Sequence, residues 1–274
     1  HNFAKHAIES ALWDIHAKRQ GESLASVLGG VTDVVEVGAV VGMHDTVDAV
    51  VAEVMQRVSE GYARIKIKIA PGHDSDVLAA VRDAVGIEYA LQADANGAYS
   101  ASDIDLLCSF DSFALQFIEQ PFAAHDLDSH RQLSQCCATS VCLDESVMTT
   151  AQLLTALDLG ACDVVNIKPS RVGGIREAIA MHDVLVERGV DAWVGGMLET
   201  GIGRASCLAL ASMPGFTLTP DLSASSRYFQ RDVTTPFVLD DGCLHVPQGK
   251  GIGVEPLEEV LAEKNVVIET VFEH

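Results

Sequence analysis

The sequence has no long apolar run and little positive charge. Its 274 residues include 18 Lys and Arg against 39 Asp and Glu, which gives a formal net charge of −21. A surface with this excess of negative charge repels phosphate groups, so neither nucleic acid nor an anionic membrane is expected as a partner. No apolar run reaches the ~18 residues of a transmembrane helix, and the first residues lack the pattern of a signal peptide. We therefore expect a cytoplasmic protein.

The cysteines also lack a pattern. Their number, seven, is odd, and no Cys-x-x-Cys spacing occurs, although Cys136, Cys137 and Cys142 lie close together in the sequence. Disulfide frameworks and structural zinc sites depend on paired cysteines at short, regular spacings. The sequence therefore predicts reduced core thiols in a cytosolic protein.

The length and the apolar content favour one large catalytic domain. The chain is 48% hydrophobic, and its length is near the ~250 residues of a single barrel of alternating strands and helices. We expect a helix leading into the barrel within residues 1–33, the barrel in 34–235 and a separate C-terminal segment in 236–274. Because His1 stands in the middle of a helical pattern, an upstream part is also expected. The apolar face of that first helix, predicted for residues 3–19, includes Ala7, Ala11, Leu12 and Ile15.

Charged residues end, or nearly end, five short apolar runs at steps of 24 to 26 residues. They are Lys68, Asp94, Glu119, Asp144 and Lys168. A step of this size holds one strand, one helix and two loops, so the runs are typical of βα units on a parallel sheet. In a closed barrel of such units, the C-terminal ends of the strands meet at one mouth. We therefore expect these five side chains to face one another.

The hydrophobic pattern places the individual elements. Strands are predicted at 34–42, 63–69, 88–94, 114–119, 140–144, 163–168, 191–196 and 216–222. Helices are predicted between them at 46–61, 74–85, about 101–109, about 126–136, 150–158, 175–188 and 205–213. From Pro236 the pattern changes to a hairpin-like stretch, and this tail is expected to lie outside the barrel.

The second predicted strand carries three cations on one face. Arg64, Lys66 and Lys68 alternate with isoleucines. On an outer strand this would be an ordinary solvated face. In a barrel that is covered by helices, the isoleucines pack outward and the cations point inward, where they need anionic partners. The carboxylates at the neighbouring strand ends supply those partners.

The three carboxylates Asp94, Glu119 and Asp144 predict a metal site. Carboxylates at one mouth repel each other unless a cation lies between them, and hard oxygen donors with open positions suit Mg²⁺. Lysines on both sides could exchange protons with a bound substrate, while the metal stabilises an enediolate next to a carboxylate. A partly desolvated lysine near the cation should have a lowered pKa and can act as a base. Arg171 is expected to disfavour a second positive charge nearby and so to keep Lys168 neutral.

Two short segments have alternative interpretations. The stretch 94–97, Asp-Ala-Asn-Gly, could be an ordinary turn, or Asn96 could hydrogen-bond the substrate or a metal-bound water. Glycines 173–174 precede a helix and could cradle a phosphate, although a tight βα turn is the more ordinary reason for them.

The glycine-rich loop 195–204 is a candidate substrate contact. Its many backbone N–H groups fit contact with the non-reacting end of a substrate, and Gly196, Met197 and Leu198 are the residues expected to provide it. A glycine-rich barrel turn without any binding role is the alternative.

Several motifs together resemble the enolase superfamily, and in particular the o-succinylbenzoate synthase and N-acylamino acid racemase branch of its muconate-lactonizing-like subgroup. They cover nearly the whole chain: ALWD at 11–14, KIK at 66–68, DAN at 94–96, IEQP at 118–121, LDES at 143–146, NIKPSRVGG at 166–174, GGMLETGIGR at 195–204, DLSASSRYF at 221–229 and VPQGKGIGV at 246–254. KIK or DAN alone would not be specific, whereas the set is. Enzymes of this superfamily use a lysine or histidine base with Mg²⁺ at an enediolate.

The resemblance implies a (β/α)7β TIM-like barrel that binds Mg²⁺, or Mn²⁺ as a substitute, through Asp94, Glu119 and Asp144. It implies an N-terminal α+β capping domain that this chain lacks, and a C-terminal tail that packs on that domain. The implied partner is a small carboxylate substrate, and a homo-oligomer is left open.

The resemblance also implies a carbon–oxygen lyase of menaquinone biosynthesis, o-succinylbenzoate synthase. Lys68 would remove the proton α to the carboxylate of 2-succinyl-6-hydroxy-2,4-cyclohexadiene-1-carboxylate. Lys66 would contact that carboxylate and stabilise the enediolate with the metal, and Lys168 would act mainly as a cation while hydroxide leaves.

Three alternatives are kept. In an N-succinylamino acid racemase, Lys68 and Lys168 would act in turn on opposite faces of the α-carbon. A dipeptide epimerase or cycloisomerase of the same superfamily would use the same residues. The non-enzymatic alternative is a barrel without its cap that serves as a structural or binding module.

Overall fold

The centre of the fold is a parallel sheet whose seven strands are hydrogen-bonded in the order in which they occur in the chain. The computed structural model describes residues 1–263. Because a helix returns the chain after each strand, the sheet curls into a TIM-like barrel, as predicted. Its strands are β2 (Gly38–Val41), β3 (Arg64–Lys68), β4 (Ala90–Asp94), β5 (Phe117–Glu119), β6 (Ser140–Leu143), β7 (Val164–Ile167) and β8 (Asp191–Val194).

The helices form a layer around this sheet and continue into the flanking segments. None of the helices within residues 1–263 is long and apolar enough to cross a membrane. Short 3₁₀ turns cover Ala101–Asp103, Phe110–Phe113 and Ser225–Arg227. The α-helices are α1 (Asn2–Gln20), α2 (Leu24–Leu28), α3 (Val47–Ser59), α4 (Ser75–Val85), α5 (Ile104–Ser109), α6 (Leu127–Cys136), α7 (Thr150–Leu159), α8 (Pro169–Val172), α9 (Ile175–Arg188), α10 (Gly201–Ala211) and α11 (Glu258–Glu263).

Residues 216–222 close the barrel between β8 and β2 without forming a strand. Asp221 N donates to Val194 O over 3.2 Å, and Gly38 N donates to Pro220 O over 2.9 Å. The prediction of an eighth strand here was wrong, because Pro220 has no N–H to donate and the remaining bonds do not form a regular ladder. The segment nevertheless lies where the eighth strand was expected and joins the two ends of the sheet.

The predicted first strand, 34–42, is divided in two. β1 (Val34–Glu36) separates from β2 at Val37 and pairs antiparallel with β9 (Cys243–His245). The described part of the C-terminal segment therefore packs on this chain, at the start of the barrel region. Its packing on a capping domain stays a prediction, and residues 264–274 lie outside the described part of the chain.

Helix α1 packs with the side opposite to its apolar stripe. Asn2 Nδ2 donates to Arg171 O over 2.7 Å, and Asp14 Oδ1 accepts from Ile252 N over 2.8 Å. The predicted apolar face is solvent-exposed, since Leu12 is 60% exposed. These polar contacts, together with the buried Ala17 and with Trp13, which packs against the core, fix α1 against the rest of the chain.

The barrel interior has an apolar floor. Phe117, Cys142, Val164 and Trp193 form a buried cluster of their own, on β5, β6, β7 and β8. Side chains two positions further along a strand point to the same side, one layer closer to the C-terminal ends. The next inward positions after this floor therefore build the layer in which the candidate site lies.

Candidate active site

Three carboxylates stand in the layer above the apolar floor. Glu119 is two residues after Phe117, Asp144 is two residues after Cys142, and Asp94 ends β4. Asp94 and Glu119 are direct partners in the register of β4 and β5. Each of the three is at most 1% exposed. The spacing argument thus placed them correctly at one mouth, and the parallel register explains why they meet.

Lys66 lies between two of these carboxylates and a third one from the closing segment. Its Nζ is 2.8 Å from Glu119 Oε2, 3.1 Å from Asp94 Oδ2 and 2.6 Å from Asp221 Oδ2. The side chain is 3% exposed. A buried ammonium needs such partners, because an unpaired charge in this position would be strongly unfavourable.

Lys68 and Lys168 stand on opposite walls of the barrel. Lys68 ends β3 and Lys168 follows β7, so three strands separate them on one side, and β8, the closing segment and β2 separate them on the other. Both line one cavity of about 410 Å³. A cavity of this size holds a small organic ligand, and such a ligand would have an amine on each side.

Each of these two amines is paired with a carboxylate. Lys68 Nζ is 2.6 Å from Asp94 Oδ2, and Lys168 Nζ is 2.6 Å from Asp144 Oδ2. The Lys68 side chain is 29% exposed and that of Lys168 is 8% exposed. Lys68 is thus the more accessible amine of the pair.

Asn96 belongs to the cavity wall beside Lys68. Its Oδ1 accepts a short hydrogen bond from Lys68 Nζ, and its Nδ2 donates to Glu145 Oε1 over 3.1 Å. Its backbone has a positive φ of 43°. The stretch is therefore a turn, as its composition predicts, and this turn aims an amide at the amine of Lys68.

Arg171 connects the Lys168 side of the site to the glycine-rich loop. Its Nε is 2.9 Å from Asp144 Oδ1, and its guanidinium lies 3.7 Å from Glu145 Oε1. It also donates to Met197 Sδ over 3.8 Å. Arg171 and Lys168 therefore share one carboxylate, which places two positive groups side by side.

The loop 195–198 covers the cavity from the β8 side. Gly196, Met197 and Leu198 line it, and their contact with a substrate stays a prediction. A Cβ on Gly195 would lie 2.1 Å from Asn166 Oδ1 and 2.6 Å from Lys168 Cε. Only glycine at position 195 therefore leaves room for the side chain of Lys168.

Burial and the neighbouring charges shift the pKa values of the three carboxylates in different directions. Burial and the neighbouring Asp94 raise the pKa of Glu119 to about 7. Burial also raises the pKa of Asp144, against the pull of Lys168. For Asp94 burial acts in the same direction, but Lys66 and Lys68 outweigh it and lower the pKa. The three buried carboxylates therefore differ in how readily each binds a proton.

The same carboxylates shift the pKa of the buried amine of Lys168. Burial alone would lower the pKa of Lys168, but Asp144 and Glu119 outweigh it and raise the pKa. The expectation of a lowered pKa concerned a lysine beside a bound cation, and it stays a prediction.

The donor set fits Mg²⁺ in its chemistry. Three carboxylate side chains on neighbouring strands are buried, and Asp144 Oδ1 has no well-aligned hydrogen bond despite the nearby Arg171. Hard oxygen donors of this kind suit Mg²⁺. Within residues 1–263, however, no three His, Cys, Asp or Glu side chains are arranged as a metal site. Asp94, Glu119 and Asp144 each lie within ion-pair distance of a lysine amine.

Sequence reasoning assigned no role to Asn166 or Asp221, and it left the anionic partner of Arg64 unnamed. Asn166 Nδ2 donates to Glu119 Oε1 over 2.6 Å. Arg64 donates to Asp221, and both Arg64 and Lys66 lie over the Trp193 ring, at 5.3 and 5.0 Å from its centroid. The position of Asn166, two residues before Lys168 on the same predicted strand, could have indicated that its side chain also points into the site. Asp221 also ends an apolar run, so the rule that found the other carboxylates would have found it too.

Two family models match the chain. Residues 49–260 match the family described as "Enolase C-terminal domain-like". Residues 1–29 match the "Mandelate racemase / muconate lactonizing enzyme, N-terminal domain". The segment that contains α1 and α2 is therefore similar to part of the N-terminal domain of that family, and the barrel is similar to its C-terminal domain.

Relatives and solved structures agree with these matches. The chain is 46% identical over 263 residues to an N-succinylamino acid racemase from an Amycolatopsis species, covering 96% of this chain and 72% of the relative. It is 45% identical over 259 residues to an o-succinylbenzoate synthase from Bacillus subtilis, covering 94% and 69%. A crystal structure of an enolase superfamily member from Listeria innocua superposes with a TM-score of 0.91 at 39% identity, covering 95% of this chain and 70% of that one. The chain belongs to the enolase superfamily.

Proposed function

We propose that the chain is an o-succinylbenzoate synthase that requires Mg²⁺, with Mn²⁺ as a substitute. The observation that carries this proposal is the pair of lysines on opposite walls of one cavity, above three buried carboxylates. Curated relatives from Bacillus subtilis and two Geobacillus species, at 45 to 46% identity, have this name. The substrate would be 2-succinyl-6-hydroxy-2,4-cyclohexadiene-1-carboxylate, and the product 2-succinylbenzoate, a precursor in menaquinone biosynthesis.

Asp94, Glu119 and Asp144 would hold the metal. When bound there, Mg²⁺ would act as a Lewis acid and stabilise the negative charge of an enediolate formed at the substrate carboxylate. Lys66 would donate to the same carboxylate and remain fixed by Asp221, 2.6 Å away. The charge of this buried ammonium is then available for the negative charge that develops on the substrate.

Lys68 would remove the proton α to the carboxylate. It is the more exposed of the two amines and stands beside Asn96, whose Oδ1 accepts its hydrogen bond. Once protonated, the same amine would return the proton to the departing hydroxide, so that the step balances as loss of one water. Lys168, which is buried and paired with Asp144, would stay a cation and stabilise the intermediate.

The second candidate function is racemisation of N-succinylamino acids. Two observations favour it: amines on both sides of the cavity, and relatives at 46% and 44% identity that are named N-succinylamino acid racemase. In this reaction one lysine would remove the α-proton and the other would deliver a proton to the opposite face.

The test measures both reactions on the full chain with Mg²⁺. The proposal expects 2-succinylbenzoate to form from the cyclohexadiene substrate, detected by chromatography. Lys68→Ala should lower the rate by about 10³-fold, since loss of a general base costs roughly 10²–10⁴-fold. Lys250→Ala removes an exposed lysine and should leave the rate unchanged. Absence of the aromatic product with wild-type protein would overturn the synthase proposal, and ¹H exchange at Cα of an N-succinylamino acid in D₂O would then favour the racemase.

A further inference from the structure

Three cysteines meet on the outside of the barrel. Cys108 lies in the last turn of α5, Cys136 is the last residue of α6, and Cys137 follows it. The sulfur atoms of Cys108 and Cys136 are 2.9 Å apart. Cys136 is exposed and the other two are partly exposed. The expectation of core thiols therefore fails for Cys136, whereas Cys108 and Cys137 pack against the core. It is met by Cys142, Cys162 and Cys207, which are buried.

The group lies at the end of the barrel opposite to the candidate active site. Helices α5 and α6 return the chain from the C-terminal ends of β4 and β5 to the N-terminal ends of the next strands. Their last residues are therefore near Phe117 and Ser140, which begin β5 and β6 and are partners in register. In barrels of this kind residues at the N-terminal end of the strands contribute to stability, whereas the catalytic groups are at the other end.

We propose that Cys108 and Cys136 form a reversible disulfide, with a small-molecule disulfide such as oxidised glutathione as the oxidant. A disulfide bond is ~2.05 Å long, and the two sulfur atoms, at 2.9 Å, are already closer than nonbonded sulfur atoms ordinarily lie. Small rotations of the two side chains would close the remaining distance. This inference does not rest on the proposed function.

The reaction balances as two thiol–disulfide exchanges. In the first, the thiolate of Cys136 attacks one sulfur of the oxidant, forms a mixed disulfide and releases one thiolate. In the second, Cys108 loses its proton to solvent and attacks the sulfur of Cys136, which releases the second thiolate. The two protein thiols are oxidised, and one oxidant disulfide is reduced to two thiols.

The surroundings select Cys108 rather than Cys137 as the partner of Cys136. Cys137 Sγ donates to Asp111 Oδ1 over 3.0 Å. Burial and this bond raise the pKa of Cys137 to about 11. Burial and the neighbouring Cys136 raise the pKa of Cys108 to about 12. Because Cys136 is the exposed thiol of the three, the first attack falls to it, and Cys108, whose sulfur atom is 2.9 Å away, completes the exchange.

The expected consequence is a more stable protein with unchanged turnover. The bond would join α5 to α6 across 28 residues of chain and would restrict the unfolded state. Because the pair is remote from the lysines of the mouth, oxidation should not alter the cavity. The oxidised protein should therefore unfold at a higher temperature than the reduced one and keep the same kcat.

The test exposes the native full chain to glutathione buffers of graded oxidised-to-reduced ratio, followed by alkylation and trypsin. Cys108 and Cys136 lie in different tryptic peptides, 83–131 and 132–171. We expect these peptides to be linked under oxidising conditions, to be released by dithiothreitol, and to show the Cys108–Cys136 bond on fragmentation. The thermal midpoint should rise on oxidation in wild type and in Cys243→Ser, and should not rise in Cys108→Ser or Cys136→Ser.

Three outcomes would overturn the proposal. One is the absence of the linked peptide at every ratio. A second is a stable glutathione adduct on Cys136 while Cys108 remains a free thiol. The third is formation of a Cys108–Cys137 bond to the same extent as the Cys108–Cys136 bond, which fragmentation of the linked peptides would reveal. If a cysteine variant does not fold, the linked peptide in wild type still decides the result.

Discussion

Lys66 Nζ is 2.6 Å from Asp221 Oδ2, which is closer than its contacts with Glu119 and Asp94, at 2.8 and 3.1 Å. Asp221 also accepts from Arg64, over 2.5 Å. The burial of Asp221 is offset by these two cations, which lower its pKa. If a metal ion takes Glu119 and Asp94, Asp221 is the carboxylate that remains with Lys66.

Asp221→Asn should therefore damage both stability and catalysis. Two buried cations lose their charged partner, which should lower the free energy of unfolding by about 3 kcal/mol. Lys66 would also lose its position, so KM for the carboxylate substrate should rise more than kcat falls. Urea unfolding and steady-state kinetics measure the two effects. Asp45→Asn, at an exposed position, is the charge-matched control, and wild-type values in Asp221→Asn would contradict this role.

Gly195→Ala tests the packing around Lys168. The added methyl would collide with Asn166 and Lys168, which should displace the amine by a fraction of an ångström. We expect kcat to fall by about 10²-fold, as for other small displacements of catalytic groups, with a loss of stability of about 1–3 kcal/mol. Gly42→Ala is the control, since a Cβ there meets no neighbour. Equal kinetics for the two variants would mean that Lys168 tolerates displacement.

Mg²⁺ should stabilise the folded protein through the three carboxylates. At a metal concentration 100 times the dissociation constant, binding adds about 2.7 kcal/mol to the free energy of unfolding. The thermal midpoint should rise with Mg²⁺ and return to its starting value with a chelator. Glu119→Gln should abolish the rise, whereas Glu187→Gln, which removes the same charge from the exposed part of α9, should keep it. A rise of equal size in Glu119→Gln would place the metal elsewhere.

Asp111 should contribute a pH-dependent part of the stability. Burial alone would raise its pKa, but hydrogen bonds donated by Ala138 and Thr139 outweigh it and hold the pKa at about 2, against 3.8 for the free group. Because the folded pKa is the lower one, the contribution is complete above about pH 4 and is lost as the pH falls towards about 2.

Asp111→Asn should accordingly lower the free energy of unfolding by about 1–3 kcal/mol at neutral pH. The difference from wild type should shrink as the pH falls through that range, and urea midpoints at several pH values measure it. Asp105→Asn, exposed on α5, should show no such difference. If the free energies of unfolding of Asp111→Asn and wild type differ by the same amount at every pH, the ionised form of Asp111 does not provide this stability.

The sequence predicted the mouth of the barrel because the strand ends repeat at a constant step. Lys68, Asp94, Glu119 and Lys168 follow that step, and a parallel sheet in register brings such residues to one level. The order of the seven strands followed from the same repeat. These features depend on the spacing of the strand ends and on the lengths of the strands and helices, which can be read directly from the sequence.

Other features depend on contacts between distant segments. β1, which is separated from β2 at Val37, pairs with β9 from the far end of the described chain. The exposed face of α1 was unexpected because its apolar period predicts burial of Leu12. The pKa of Lys168 is raised by Asp144 and Glu119, which are close to it in the fold but distant in the sequence. None of these relationships has a local signal.

The central claim is that Lys68 and Lys168 approach one substrate carbon from opposite faces. Its most direct test is ¹H NMR of α-proton exchange in D₂O, with Mg²⁺ and each enantiomer of an N-succinylamino acid that the wild-type protein exchanges. Lys68→Ala should retain exchange with one enantiomer and Lys168→Ala with the other. If both variants retain exchange with the same enantiomer, or if either variant retains both, the two amines do not stand on opposite faces of that carbon.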